Sequence, residues 1–286
     1  MQEIAVETAE ATPTVGRSVP LRVVAVASGK GGVGKSNVSA NLAVALGRAG
    51  TRVWLFDADL GLANVDVLFG LTPALSLRDV LHDHRALADI VLEGPAGVRI
   101  IPAASGVEEL TALGHADRLH LLAELDELAA HVDFLLVDTA AGISSNVLFF
   151  TAAVADVLIV ITPEPTSLTD AYALMKVLAA RHGRREFLVA VNMATGPADA
   201  EAAFARLARV AERFLRVRVE YQGYVPYDDA VPRAVRTQHP VVLATPQSPA
   251  SLAFVQLARR LLTRPAPVPT GGLQFFFRQL LGEGRS

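Results

Sequence analysis

The sequence predicts an α/β fold, a mostly parallel central sheet with helices on both faces. Three observations predict it. From Leu21 onward, short runs rich in β-branched residues alternate with stretches of helical length. The runs are almost continuously apolar, the pattern of strands covered on both sides. The first run leads through a glycine-rich loop straight into a helix, the order of a phosphate-binding unit.

The elements follow in order. Residues 1–20 have no apolar periodicity and hold two prolines, so they are expected to be a mobile tail. The expected strands are Arg22–Ala27, Arg52–Phe56, Val98–Ile101, Phe134–Val137, Val157–Thr162, Phe187–Val191 and Val217–Tyr224. Helical patterns fall at Lys35–Ala49, Ala116–Ala130, Ser167–Arg181 and Asp199–Leu215. There is no internal repeat. Residues 21–262 thus read as one domain. Thr263–Gly272 holds three prolines and two glycines and reads as a linker. Beyond it, 273–286 turns apolar again.

Composition narrows the function classes. The chain is 51% hydrophobic with a mean hydropathy of +0.37, which raises the question of a membrane span. A helical span needs about 20 nearly uninterrupted apolar residues. The best candidate, Val147 to Ile161, is too short and is broken by Asp156. No secretory signal pattern is present. The chain has no cysteine, which excludes disulfides, thiolate zinc sites, iron–sulfur clusters and cysteine nucleophiles. It is compatible with a cytosolic location. The formal net charge of −3 gives no whole-chain attraction to nucleic acid or anionic lipid.

The loop Gly29-Lys30-Gly31-Gly32-Val33-Gly34-Lys35-Ser36 fits G-x-x-x-x-G-K-[ST] in the strand–loop–helix setting that gives the motif its meaning. Glycines let backbone N–H groups converge on phosphates, and the helix N-terminus adds a favourable dipole. Lys35 is expected to neutralise the β- and γ-phosphates, and the Ser36 hydroxyl to bind Mg²⁺.

Hydrolysis of a phosphoanhydride needs carboxylates at the C-terminal ends of strands beside that loop. Asp57 and Asp59 follow Arg52–Phe56, and Asp138 follows four apolar residues, a Walker B pattern that would hold Mg²⁺ through water. The alternative for each is a strand-end residue that hydrogen-bonds nearby backbone. Asn192 and Pro226 stand at the ends of the next strands, where ordinary turn chemistry is the alternative. His82 and His84 are two apart, with no ligand pattern to complete a metal site.

The loop S-G-K-G-G-V-G-K-S resembles the deviant Walker A motif of the MinD/ParA (SIMIBI) ATPases. The resemblance implies a P-loop ATPase using ATP and Mg²⁺. It implies an ATP-dependent homodimer in which Lys30 reaches the partner's nucleotide. Asp57 would support the metal, Asp59 would polarise the attacking water, Asn192 would hydrogen-bond adenine, and the segment with Pro226 would pack on its ring. Cluster-bearing and arsenite-pump relatives need cysteines, and the tyrosine-kinase relatives end in a tyrosine cluster; this chain has neither.

Several stretches are similar to the flagellar-number branch, FlhG/FleN. They are DADLGLANVDVLFGL at 57–71, GVRIIPAASG at 97–106, VDTAAGI at 137–143, PEPTSLTDAYALMK at 163–176 and YVPYDDAV at 224–231. The similarity runs from about Leu21 to Leu281. It implies an antiactivator of a FleQ-like, σ54-dependent activator, with the GTPase FlhF as a further partner. It also implies a cytoplasmic location, peripheral to the inner membrane or cell pole. Residues 1–20 lack the D-Q-A-x-x-L-R element by which some lineages activate FlhF. A positioning ATPase for DNA partition or division-site placement is the alternative.

Two segments lie outside this scheme. On a helix, Leu273, Phe276, Phe277, Leu280 and Leu281 share one face. Such a short amphipathic helix could lie on a membrane surface, dock in a groove and be released by ATP, or stay docked to close the core. Arg206, Arg209, Arg213 and Arg216 also share a helix face, either a patch for DNA phosphates or an acidic protein, or a solvated surface.

Overall fold

A computed structural model of the chain describes residues 21–59, 64–76, 79–80, 85–102 and 131–265. The tail 1–20, the helical pattern at 116–130, His82, His84, residues 266–272 and the amphipathic segment 273–281 lie outside the described residues.

Eight strands form one sheet: β1 (Arg22–Ser28), β2 (Val53–Ala58), β3 (Leu92–Glu93), β4 (Arg99–Ile101), β5 (Phe134–Ala141), β6 (Asp156–Ile161), β7 (Glu186–Ala194) and β8 (Arg218–Pro226). Their order is β3-β4-β2-β5-β1-β6-β7-β8, and every pairing except β3 with β4 is parallel. The main helices are α1 (Lys35–Arg48), α2 (Ser145–Ala153), α3 (Pro165–His182), α4 (Pro197–Leu215), α5 (Ala230–Arg236) and α6 (Pro249–Thr263).

Strand periodicity divides the interior into two cores. Val23, Ala25 and Ala27 of β1 face one core with Phe150 of α2, Leu174 of α3 and Leu207 of α4. Val24 and Val26 face the other, with Leu42 of α1, Ala234 of α5 and Phe254 of α6. Burial on both sides explains the nearly unbroken apolar runs of the central strands.

The expected elements are present with shifted ends. β5 and β7 each run on by several residues, to Ala141 and Ala194, so Asp138 and Asn192 stand inside strands rather than at their ends. Asp57 lies inside β2, and Pro226 is the last residue of β8. Polar residues do not stop a parallel strand whose ladder is completed by its neighbours. The apolar stretch 147–161 is the end of α2 followed by β6, divided near Asp156. Helix α6 has no counterpart among the expected elements. Its Pro249 and Ser248 begin it as a helix-starting pair, with the Ser248 hydroxyl accepting from Ser251 N–H.

Helix α6 runs through Thr263, and the next two residues remain on the domain. Arg22, at the start of β1, pairs with Asp156 at 3.1 Å and donates to the carbonyls of Arg264 (3.0 Å) and Pro265 (2.8 Å). Arg264 itself pairs with Asp156 and with Glu220. The described domain therefore extends to residue 265, two residues beyond the end of α6 and into the stretch expected to be linker. No helix of the described residues is long and apolar enough to cross a membrane.

Candidate nucleotide-binding site

The site sits where β1 meets its two flanking strands, β5 and β6, at the C-terminal end of the sheet, the usual ligand position in open α/β folds. The chain leaves β1 at Ser28 and enters α1 at Lys35. Gly32 and Gly34 both take φ of +81°, a left-handed conformation that disfavours other residues. Two glycines are also demanded by contact. A Cβ on Gly29 would lie 2.1 Å from the carbonyl carbon of Asp170 in α3. A Cβ on Gly34 would lie 2.4 Å from the Asn192 side-chain nitrogen. Gly31 and Gly32 are exposed and a Cβ on either would meet nothing, while Val33 is buried and anchors the loop.

Lys35 is buried, and its Nζ donates to Asp138 Oδ1 at 2.8 Å. Ser39, one helical turn further on, donates its hydroxyl to the same oxygen at 2.7 Å. Ser36 Oγ accepts from Lys35 Nζ at 3.4 Å. Asp138 Oδ2 is buried without a hydrogen-bond partner. An orphaned carboxylate oxygen beside a lysine, a hydroxyl and an exposed glycine-rich loop fits a metal-bound phosphate chain.

Asp57 is the register partner of Asp138 on the adjacent strand. Its Oδ1 accepts from Asp59 N–H at 3.0 Å, and its Oδ2 from Asn64 and Val65 N–H at 3.2 Å each. Burial and then repulsion from Asp138 push its carboxyl up to about 7, against the pull of those three backbone bonds. These bonds tie the Asp57 carboxylate to the backbone of Asp59, Asn64 and Val65.

Lys30 points out of the loop. Its Nζ donates to Glu164 Oε2 at 2.6 Å and to Thr166 Oγ1 at 3.0 Å, at the start of α3. Asn192 donates its amide to the Val33 carbonyl at 2.8 Å, which leaves its oxygen free for an outside donor. Beside it opens a cavity of about 430 Å³ lined by Gly34, Asn192, Met193, Pro226, Tyr227 and Val235, within the size range of small-molecule sites. Asp228, at its edge, accepts from Ala230 and Ala250 N–H at 2.8 and 3.0 Å, joining the starts of α5 and α6. Burial pushes its carboxyl upward, but the backbone bonds outweigh that and hold it below the usual range.

The structure thus brings together Gly29, Lys30, Gly31, Gly32, Val33, Gly34, Lys35, Ser36, Asp57, Asp59 and Asp138 around one loop, and Asn192 and Pro226 around the adjoining cavity. Ser39, Glu164, Thr166 and Asp228 were not among the expected site residues. The helical spacing from Lys35 could have pointed to Ser39; the other three depend on tertiary contacts. Among the described residues no group of three or more histidine or acidic side chains could hold a metal by itself.

Fold and loop together define a P-loop nucleotide-binding protein. Residues 24–241 match the model of the CobQ/CobB/MinD/ParA nucleotide-binding domain. The chain is 48% identical to the antiactivator FleN of Pseudomonas aeruginosa, over 93% of this chain and 96% of that protein. It is 35% identical to the flagellum site-determining protein YlxH of Helicobacter pylori, over 91% and 90%. Among solved structures, MinD of Pyrococcus horikoshii in complex with Mg-ADP superposes with a TM-score of 0.68 at 27% identity, covering 85% of this chain and 96% of that one. The chain belongs to the CobQ/CobB/MinD/ParA nucleotide-binding family, in its FleN/FlhG branch.

Proposed function

We propose that this protein is a Mg·ATP-dependent, dimerising ATPase of the deviant Walker A type that controls flagellar number or placement as an antiactivator. The observation that carries the reading is the position of Lys30. The Lys30 Nζ lies 2.6 Å from Glu164, outside its own loop, and this supports a role for the side chain at the nucleotide of a second copy. The apolar side chains exposed at this end of the sheet support a protein-covered face. Val67 (49%), Ile143 (50%), Met193 (41%) and Tyr227 (66%) all lie at or after the C-terminal ends of strands.

The geometry supports the following roles. N–H groups of 31–36 would cradle the phosphates, Lys35 would neutralise the β- and γ-oxygens, and Ser36 and Asp138 would hold Mg²⁺. The ion supplies charge neutralisation on the phosphate chain. Asp57 supports that shell and braces the turn bearing Asp59, which orients the attacking water. Asn192 keeps its carbonyl oxygen for the exocyclic amine of adenine, and Pro226 packs on the ring.

Similarity to FleN supports a FleQ-like, σ54-dependent activator as the partner, and similarity to YlxH supports a role at the flagellar site, with FlhF as a further partner. Residues 21–265 are the switch, and 273–281 supply a peripheral membrane contact. The ATP state must bind the partner better than the ADP state, or nucleotide would control nothing.

Phosphate release tests the enzyme reading. Specific activity is expected to rise with protein concentration as dimers form, and Lys30→Ala is expected to remove that dependence. Activity per chain that is constant with concentration would contradict the dimer.

A further inference from the structure

Helix α4 carries a feature that nucleotide chemistry leaves unused. Arg206, Arg209 and Arg213 lie on its outward side; Arg216, expected on the same face, stands just past the end of the helix in a left-handed conformation (φ +54°), and all four are exposed. Among the described residues no carboxylate lies within ion-pair distance of any of them. Glu212 stands within one helical turn of three of them and pairs with none. Arg206 bonds only the Ala202 carbonyl of its own helix, at 3.1 Å.

Apolar groups flank the same stripe. Phe214 is 64% exposed and Val210 39%, and the Arg213 guanidinium lies 5.3 Å from the centre of the Phe214 ring. That stacking holds a charged group flat beside an exposed aromatic. Both continue the helical spacing of the buried Ala203, Leu207 and Ala211 but emerge into solvent toward the end of the helix.

We propose that the outward face of α4 is the surface by which this protein grips an acidic protein partner, one whose carboxylates flank an apolar side chain. Charge complementarity selects the carboxylates, because guanidinium forks without a carboxylate partner match them in bidentate geometry. The exposed phenylalanine and valine select protein over nucleic acid. Arginine and aromatic residues together are the composition of interface anchors, whereas phosphate contacts need no apolar side chain. The proposal rests on the antiactivator reading, and the partner is then the regulator this protein restrains. Helix α4 begins just after β7, beside the base cavity, but its arginines occupy the other half. Nucleotide therefore acts on this surface by pairing two copies of it in the ATP dimer, which raises avidity without reshaping either face.

The test uses the full chain with Mg·ATP, a purified FleQ-like activator as probe, and a random-sequence DNA duplex as a second probe. Arg209→Glu/Arg213→Glu is expected to weaken activator binding about tenfold or more and to flatten its salt dependence, with phosphate release unchanged. Phe214→Ala is expected to weaken binding about fivefold with the salt dependence kept. It also serves as the milder variant if the double reversal lowers thermal stability. If the activator binds the wild type and all three substitutions leave its affinity unchanged, the surface is wrong while the antiactivator reading stands. Duplex binding lost by the reversal while activator binding is kept would overturn the proposal in favour of a nucleic-acid surface. Absence of activator binding by the wild type in every nucleotide state would overturn both.

Discussion

At the scale of single residues, the site depends on charges that are costly to bury and are tightly partnered. Lys35 and Asp138 form a buried pair at 2.8 Å, with side chains 7% and 1% exposed. Removing one member of such a pair strands the other and costs about 3–5 kcal/mol. Lys35→Ala is therefore expected to lose nucleotide binding in a titration and also to lower the urea midpoint. Asp138→Asn in the same chain should recover part of that stability but none of the binding. Retained nucleotide affinity in Lys35→Ala would refute the phosphate-loop assignment.

Asp57 gives a pH signature. Its folded carboxyl is pushed up to about 7 from an ordinary 3.8, so the folded metal-free protein holds this proton where the unfolded chain has lost it. The stabilising contribution is complete below about pH 4 and is lost as pH rises through about 7. Urea midpoints without nucleotide or metal should fall between about pH 5 and about pH 8, and Asp57→Asn should reduce that fall. An identical profile in the variant would rule out Asp57 as the source.

At the scale of elements, the loop is held by its neighbours as much as by its own sequence. Gly29 presses on the backbone of α3 so closely that a methyl group would sit 2.1 Å from Asp170. Gly29→Ala should therefore push the loop off α3 and weaken nucleotide binding at least tenfold, while circular dichroism stays that of a folded chain. Wild-type affinity would show that the wedge has no role. At the other end of the sheet, Asp156 takes both Arg22 and Arg264. Asp156→Ala should cost about 3 kcal/mol in chemical denaturation, yet leave nucleotide affinity intact because the network is at the opposite end of β1. A change in affinity with no loss of stability would contradict that separation.

These elements also show what could be read in advance. The glycine-rich loop was legible because it is local, with all its residues contiguous and each required by phosphate geometry. Asp57 and Asp138 were legible as types after apolar runs, but their bonding was not, since it depends on β2 and β5 being neighbours. Glu164 and Thr166 gave no signal, because their contact with Lys30 spans more than 130 residues of chain. Helix α6 was overlooked although it carries the apolar residues Phe254, Leu257 and Leu261 on one side. The arginine stripe was visible, but its lack of partners was a tertiary fact.

At the scale of the whole molecule, helices line both cores, and exposed apolar side chains remain at the nucleotide end, on α4 and, as Leu252 and Leu262, on α6. A second copy would cover the first of these and a partner the second. In the proposed cycle ATP makes the dimer and hydrolysis undoes it. The most direct measurement is light scattering of Asp59→Ala with saturating Mg·ATP. A stable species of twice the 30.3 kDa chain mass that does not decay with time is expected, and a monomer with ADP. A species that stays monomeric in saturating ATP, with nucleotide demonstrably bound, would contradict that cycle.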